Sequence, residues 1–151
     1  MASPPAQVCD RRVDQRRCPI ARRRDGRLGA HRTGRRFVTT PDLAPGVVAW
    51  AALEPVRGRE QGGHRPVLIV ASAGYLDAVT TLVIVLPITT TDRGWPNHVR
   101  VEGSSGLDRP SWVMTEQPRT LSRDRLTGVA GEVSIDCLRA VRTWLGDFLD
   151  L

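Results

Sequence analysis

Gly58-Arg59-Glu60-Gln61-Gly62-Gly63-His64-Arg65-Pro66 runs directly into Val67-Leu68-Ile69-Val70, so a strongly polar segment meets an apolar one without a linker. A carboxylate, an amide, an imidazole and a guanidinium fall within positions 60–65. A short β-branched run bounded by Gly and Pro is a strand signal. The adjacent glycines let the backbone bend closely around a ligand, and Pro66 holds Arg65 extended at the mouth of that strand. The stretch therefore reads as a polar loop carried on a rigid strand, the usual setting for binding and catalytic groups.

Working outward, further strands are predicted on both sides. Val47–Leu53, Pro66–Ala73 and Thr80–Ile88 are β-branched or apolar runs separated by Gly, Pro and Asp; Asn97–Glu102 and Ser111–Gln117 are shorter, and Gly128–Glu132 carries the weakest signal. Ser134 then supplies a helix N-cap, and Ile135, Leu138, Val141, Leu145 and Phe148 recur at helical spacing. Several short strands closed by one amphipathic helix predict a mainly β fold, a small and strongly curved antiparallel barrel with a C-terminal helix.

The chain has 151 residues, room for one domain, with 40% hydrophobic and 25% charged residues as in an ordinary globular protein. Its charge is unevenly placed. All 22 basic residues are arginine, and 11 of them fall in residues 1–38 against three acids, Asp10, Asp14 and Asp25, a surplus of 8. The remaining residues carry 11 Arg against 13 acids, so the net +6 belongs to the N-terminal segment. Without apolar periodicity, residues 1–40 are expected to be a disordered tail ahead of a domain spanning 41–151. Such a tail could be a phosphate-binding arm. It lacks the apolar centre of a secretory signal. The favoured expectation is that translation begins later, near Val38, because exclusive use of arginine fits a GC-rich genome in which over-long starts are easily assigned.

Three cysteines, Cys9, Cys18 and Cys137, match no zinc or redox spacing. Their odd count fits a reducing cytoplasm, with Cys137 filling a helix face. No segment is long and apolar enough to span a membrane.

Four blocks together resemble the MazF/PemK family of toxin endoribonucleases from bacterial toxin–antitoxin pairs. The polar loop is similar to the family's signature loop. Pro45-Gly46-Val47-Val48-Ala49-Trp50-Ala51-Ala52-Leu53-Glu54-Pro55 resembles its first strand, with Val47 where an acid is commoner; Val83-Ile84-Val85-Leu86-Pro87-Ile88-Thr89-Thr90 resembles the strand ending in Pro-Ile-Thr. Glu116-Gln117-Pro118-Arg119-Thr120 with the trailing Arg125-Leu126 resembles the Glu-Gln-x-Arg-Thr segment. The four stand in the family's order. The resemblance implies an SH3-like (CcdB/PemK-like) barrel, which agrees with the strand pattern. It also implies metal-independent, cofactor-free cleavage of single-stranded mRNA to 2′,3′-cyclic phosphate and 5′-hydroxyl ends, growth arrest, a homodimer, and a cognate antitoxin with an acidic disordered segment. Contact with DNA is expected only indirectly, through that antitoxin.

RNA can be cut without metal when the 2′-hydroxyl attacks the adjacent phosphorus, which calls for a base, an acid for the leaving 5′-oxygen, and cationic stabilisation of the phosphorane. The guanidinium fork of Arg65 suits the last task. By residue type alone His64 is the candidate base, since histidine titrates near neutrality. The resemblance points instead to Arg65 and Thr89 as the catalytic pair. Thr89 is assigned to orienting the scissile phosphate, and Arg65 to stabilising it and donating a proton.

Each supporting residue has a plainer alternative. Glu60 could pair with Arg57 or Arg59 as a solvated charge, or contact substrate and orient Arg65. Gln61 and His64 could be loop residues or RNA contacts. Gln117 and Arg119 could end a strand, yet at alternate positions they project to one face and could reach a base edge or phosphate. Trp95 could stack on an unpaired base, although covering an apolar edge of the barrel is preferred; His98 is expected to be structural. Two rival functions remain. Topoisomerase poisons on the same barrel carry a Trp-Gly-Ile terminus, whereas this chain reads Phe148-Leu149-Asp150-Leu151. A catalytically inactive RNA-binding or antitoxin-binding barrel is opposed by the presence of Glu60, Arg65 and Thr89.

Overall fold

The computed structural model describes residues 43–58 and 60–151; the arginine-rich segment expected as a tail, with Cys9 and Cys18, lies outside the described residues. In chain order the elements are β1 (Val47–Ala52), β2 (His64–Ile69), α1 (Ala73–Ala78), β3 (Leu82–Thr89), β4 (His98–Arg100), β5 (Trp112–Met114), β6 (Arg119–Ser122), a 3₁₀ turn (Arg123–Arg125), β7 (Leu126–Glu132) and α2 (Ile135–Leu149). Every strand pair is antiparallel. The sheet runs β4-β5-β3-β2-β1-β7, with β6 also paired to β3. The expected mainly β, barrel-like architecture with a C-terminal helix is present, although the hydrogen-bonded ladder does not close all the way round.

β1, β2 and β3 read as continuous apolar runs because both of their faces are buried. Ala49, Ala51, Val67, Ile69, Val83 and Val85 point to one core, which Leu121 of β6 and Leu76 of α1 help to close. The intervening Val48, Leu68, Leu86 and Ile88 point the other way, onto Cys137, Leu138 and Val141 of α2. Strand alternation thus feeds two cores from the same three strands. β3 is shared along its length: its first half, Leu82–Val85, pairs with β6, and its end, Ile88–Thr89, pairs with β5.

Several expectations need correction. β2 starts two residues earlier than predicted and stops at Ile69, because the chain turns at Ser72, whose side chain accepts from the Tyr75 N–H and starts α1. Neither α1 nor β6 is foreseen by apolar periodicity, since each contributes a single buried core side chain, Leu76 and Leu121. Arg123 ties these elements together by donating to the carbonyls of Leu76, Val79 and Leu82. The predicted Asn97–Glu102 and Ser111–Gln117 strands shrink to three residues each. β7 is longer than Gly128–Glu132, and its pairing with β1 shifts register twice, passing over Ala130 and Thr127.

The Ser134 cap is present, with its Oγ accepting from the Cys137 N–H at 3.2 Å. Of the predicted helical stripe, however, Ile135 and Phe148 remain 65% and 47% exposed, so only the middle of α2 packs on the sheet. Cys137 is buried there, and loss of solvation pushes its thiol up from the ordinary range. Among the described residues no helix is long and apolar enough to cross a membrane.

Candidate active site

β2 and β3 stay paired through Ile69–Val85, Leu68–Leu86 and Val67–Pro87, and then separate. Pro66 and Pro87 stand at that point, and neither has an N–H with which to continue the ladder. β3 delivers Ile88 and Thr89 to β5 instead. Between the parted strands opens a cleft of about 470 Å³, with Gln61, Arg65, Thr89, Arg93 and Ser111 in its walls. The local chain chemistry of two prolines therefore makes the opening that the polar loop overhangs.

The loop is held in place by its glycines and by a distant segment. Gly63 has φ +77°, a backbone that favours glycine, and a Cβ at Gly62 would lie 2.7 Å from Glu54 Oε1 and displace that side chain. The carboxylate of Glu54 also accepts from the Gly63 N–H at 2.8 Å. Gln61 is the junction: its N–H donates to Gln117 Oε1 at 3.2 Å, and its carbonyl accepts from Arg119 Nη1 at 2.9 Å. Its side-chain Oε1 accepts from Arg65 Nη1 at 2.6 Å, while Arg65 Nε donates to the Gly62 carbonyl at 2.5 Å. The backbone of Gln61 is thus fixed by the 117–119 segment, and its side chain in turn fixes Arg65.

Thr89 is buried, at 7% exposure, and its Oγ1 accepts from the Thr91 N–H at 3.1 Å, which leaves its own proton for a ligand in the cleft. Arg93 enters the cleft from a turn in which Asp92 Oδ1 accepts from the Gly94 N–H at 2.8 Å. The cleft wall therefore carries two arginines and no acid. Residues 39–151 as a whole hold 11 Arg against 13 acids. A locally positive cleft on a net-negative domain suits a phosphate-bearing ligand.

His64 is not in this cleft. It precedes Arg65 on β2, so it projects to the opposite face. There its ring stacks on Trp50, with centroids 5.5 Å apart and planes 11° apart, and Nε2 lies 2.7 Å from Thr127 Oγ1. The candidate base and the candidate phosphate-binding arginine are separated by strand alternation.

Glu60 is exposed and lies 3.6 Å from Arg119 Nη2, with the Arg57 N–H donating to it; it does not touch Arg65. Gln117 and Arg119 share a direction, as expected, but direct polar groups to the backbone of Gln61. Trp95 is 47% exposed, packs on His98 at 5.1 Å, and carries the Arg93 guanidinium 5.3 Å above its ring. His98 is buried, and its Nε2 donates to Glu116 Oε1 at 3.2 Å. The sequence reading missed Arg93, Ser111 and Trp50 as site residues. For Arg93 a signal existed, since Thr-Asp-Arg-Gly is turn chemistry that places an arginine at a rim. Among the described residues no three His, Cys, Asp or Glu side chains cluster so as to hold a metal ion.

The domain matches the PemK-like, MazF-like toxin family of type II toxin–antitoxin systems over residues 44–149. The chain belongs to this family. Endoribonuclease EndoA of Bacillus subtilis is 37% identical over 84 residues, which span 54% of this chain and 72% of EndoA. The crystal structure of MazF from Deinococcus radiodurans superposes with a TM-score of 0.62 at 33% identity, covering 72% of this chain and 96% of that one. A MazE–MazF structure from the same organism gives 0.59 at 31% identity, covering 72% and 96%. The enzyme class of this MazF-like toxin is endoribonuclease. The polar loop that resembles the family's signature overhangs the cleft that holds Arg65, Thr89 and Arg93.

Proposed function

We propose that this toxin cleaves single-stranded mRNA at a short sequence, without a metal ion, and that the Arg65–Thr89 cleft holds the scissile phosphate. The carrying observation is the pairing of a tethered guanidinium with a buried threonine hydroxyl in one acid-free cleft. In the reaction, the 2′-oxygen forms a bond to the adjacent phosphorus and gives its proton to solvent water. The bond from phosphorus to the 5′-oxygen breaks, and that oxygen takes up a proton. A 2′,3′-cyclic phosphate and a 5′-hydroxyl result.

Thr89 donates its hydroxyl proton to a non-bridging phosphate oxygen and so orients the group. Arg65 stabilises the charge that builds on the phosphorane through the N–H groups that Gln61 and Gly62 do not engage. The same guanidinium is the proposed proton donor to the 5′-oxygen. Gln61, Gln117, Arg119 and Glu60 keep Arg65 and its loop in position, and Arg93 adds a second cation beside the phosphate chain. The 47% exposure of Trp95 beside Arg93 supports a stacking contact with an unpaired base.

The partner reading follows from the same family membership. A cognate antitoxin with an acidic segment would occupy the positive cleft and block it, and growth arrest in the cytoplasm would follow when that segment is removed. A homodimer is supported by the exposed apolar end of α2, where Phe148 and Leu149 are 47% and 56% exposed beside a shallow apolar hollow. Incubation of the purified protein with a long RNA in EDTA, followed by mapping of 5′ ends, tests the reading. Discrete cuts bearing 5′-hydroxyls support it, and intact RNA or 5′-phosphates overturn it.

A further inference from the structure

We infer that Trp50 and His64 form a nucleobase-stacking subsite at the far end of a groove that starts in the Arg65–Thr89 cleft; this rests on the RNA-cleaving reading of that cleft. Three depressions adjoin, each sharing wall residues with the next. The catalytic cleft shares Pro66, Thr90 and Ser111 with a neighbouring hollow that also contains Arg109, and that hollow shares Trp50 with a third, lined by Trp50, His64, Thr127 and Gly128. A chain of nucleotides leaving the scissile phosphate by this route passes an arginine and then meets an aromatic pair. Base-on-aromatic stacking is the common means of gripping an unpaired strand.

The end of the path is built for a flat ring. The Trp50 and His64 rings lie nearly parallel, 11° apart, and His64 is exposed, so its outer face is free to extend the stack. Gly128, paired with Trp50 across β1 and β7, would meet nothing within 4 Å if it carried a Cβ, so the hollow exists because a side chain is absent there. The hydrogen bonds also fix the imidazole. Thr127 Oγ1 donates to the Trp50 carbonyl at 3.3 Å, so toward His64 Nε2, at 2.7 Å, it acts as acceptor. The tautomer these bonds select carries its proton on Nε2 and presents Nδ1 as an acceptor. A base edge with an N–H, such as an exocyclic amino group, fits that acceptor.

Single-turnover cleavage with RNAs that carry one abasic nucleotide, walked along both sides of the cut, tests the subsite. Trp50→Leu and Gly128→Thr are the probes; the second fills the hollow without altering either ring and suits a strand. Wild type is expected to lose roughly tenfold in KM at one abasic position, the size typical of one stacked base. Both variants should show the same KM increase with intact RNA, a nearly unchanged kcat, and no added penalty from that abasic position. Wild-type KM in both folded variants, or an abasic penalty that persists in them, overturns the subsite. Failure of the catalytic reading looks different, because wild type then leaves every RNA uncut. Fluorescence anisotropy with the same abasic series and variants still decides the subsite in that case.

Discussion

His64 and Arg65 are neighbours in sequence, yet they serve two faces of β2 with opposite character. On the Arg65 face the guanidinium is half-buried and held by Gln61 Oε1 and the Gly62 carbonyl beside a buried threonine. On the His64 face the ring is exposed, stacked on Trp50 and beside an open hollow. One face orders charge where a phosphate would react, and the other offers an aromatic surface some distance away. A strand can divide chemistry from recognition with a one-residue step, because successive side chains point to opposite sides. Histidine therefore sits beside the proposed catalytic arginine in the motif without sharing its cleft.

Substitutions on the Arg65 face should have the largest effects. Arg65→Ala is expected to lower single-turnover cleavage by about 10²–10³, the usual loss for one oriented charge-stabilising donor. Arg65→Lys should not restore it, since an ammonium cannot reproduce the planar fork. Near-wild-type cleavage by the lysine variant would break the assignment of that face.

A smaller effect is expected from Gln61→Met. The loop backbone stays anchored by Gln117 and Arg119, so only the tether on Arg65 is lost. Hydrogen bonds to charged groups contribute about 1.5–3 kcal/mol, so kcat should fall about tenfold or somewhat more while KM holds. An equal rise in KM would mean that Gln61 contacts RNA directly. His64→Ala sharpens the comparison from the other side: it should raise KM and leave the shape of the pH–kcat profile intact. Loss of one limb of that profile would make His64 the general base in spite of its face.

The smallest effect concerns residues 1–38. Their removal should leave the cleavage positions unchanged, because phosphate contacts carry no sequence information. If those arginines do bind RNA, each lost contact reduces the slope of log affinity against log salt by roughly 0.7 for single strands. A shift of cleavage sites on deletion would contradict the placing of recognition within the domain.

The parts of the fold that were legible in sequence are those where burial is two-sided or a cap is explicit. Val67-Leu68-Ile69 and Val83–Ile88 announce strands because both faces meet apolar cores, and Ser134 marks the start of α2. β6 was not legible, since Leu121 is its only buried residue and its partner strand is far away in sequence. The outer residues of the helical stripe misled, because periodicity shows which face is apolar and not how far the sheet extends beneath it. At the site, the loop could be picked out by residue type, and Thr89 only through the resemblance of its strand end to the family's Pro-Ile-Thr. The anchoring by Gln117 and Arg119 could not, because it joins side chains to the backbone of a residue 56–58 positions earlier. The parting of His64 from Arg65 needed only strand register, and was hidden while both were read as one loop.

End-group analysis of RNA cleaved in EDTA by wild type and by Thr89→Val tests the central claim most directly. The account predicts 2′,3′-cyclic phosphate and 5′-hydroxyl ends at one short sequence with wild type, and strongly reduced cutting at the same sequence when the hydroxyl of Thr89 is replaced by a methyl group. Undiminished cleavage by Thr89→Val, or cutting that stops when EDTA is added to wild type, would contradict it.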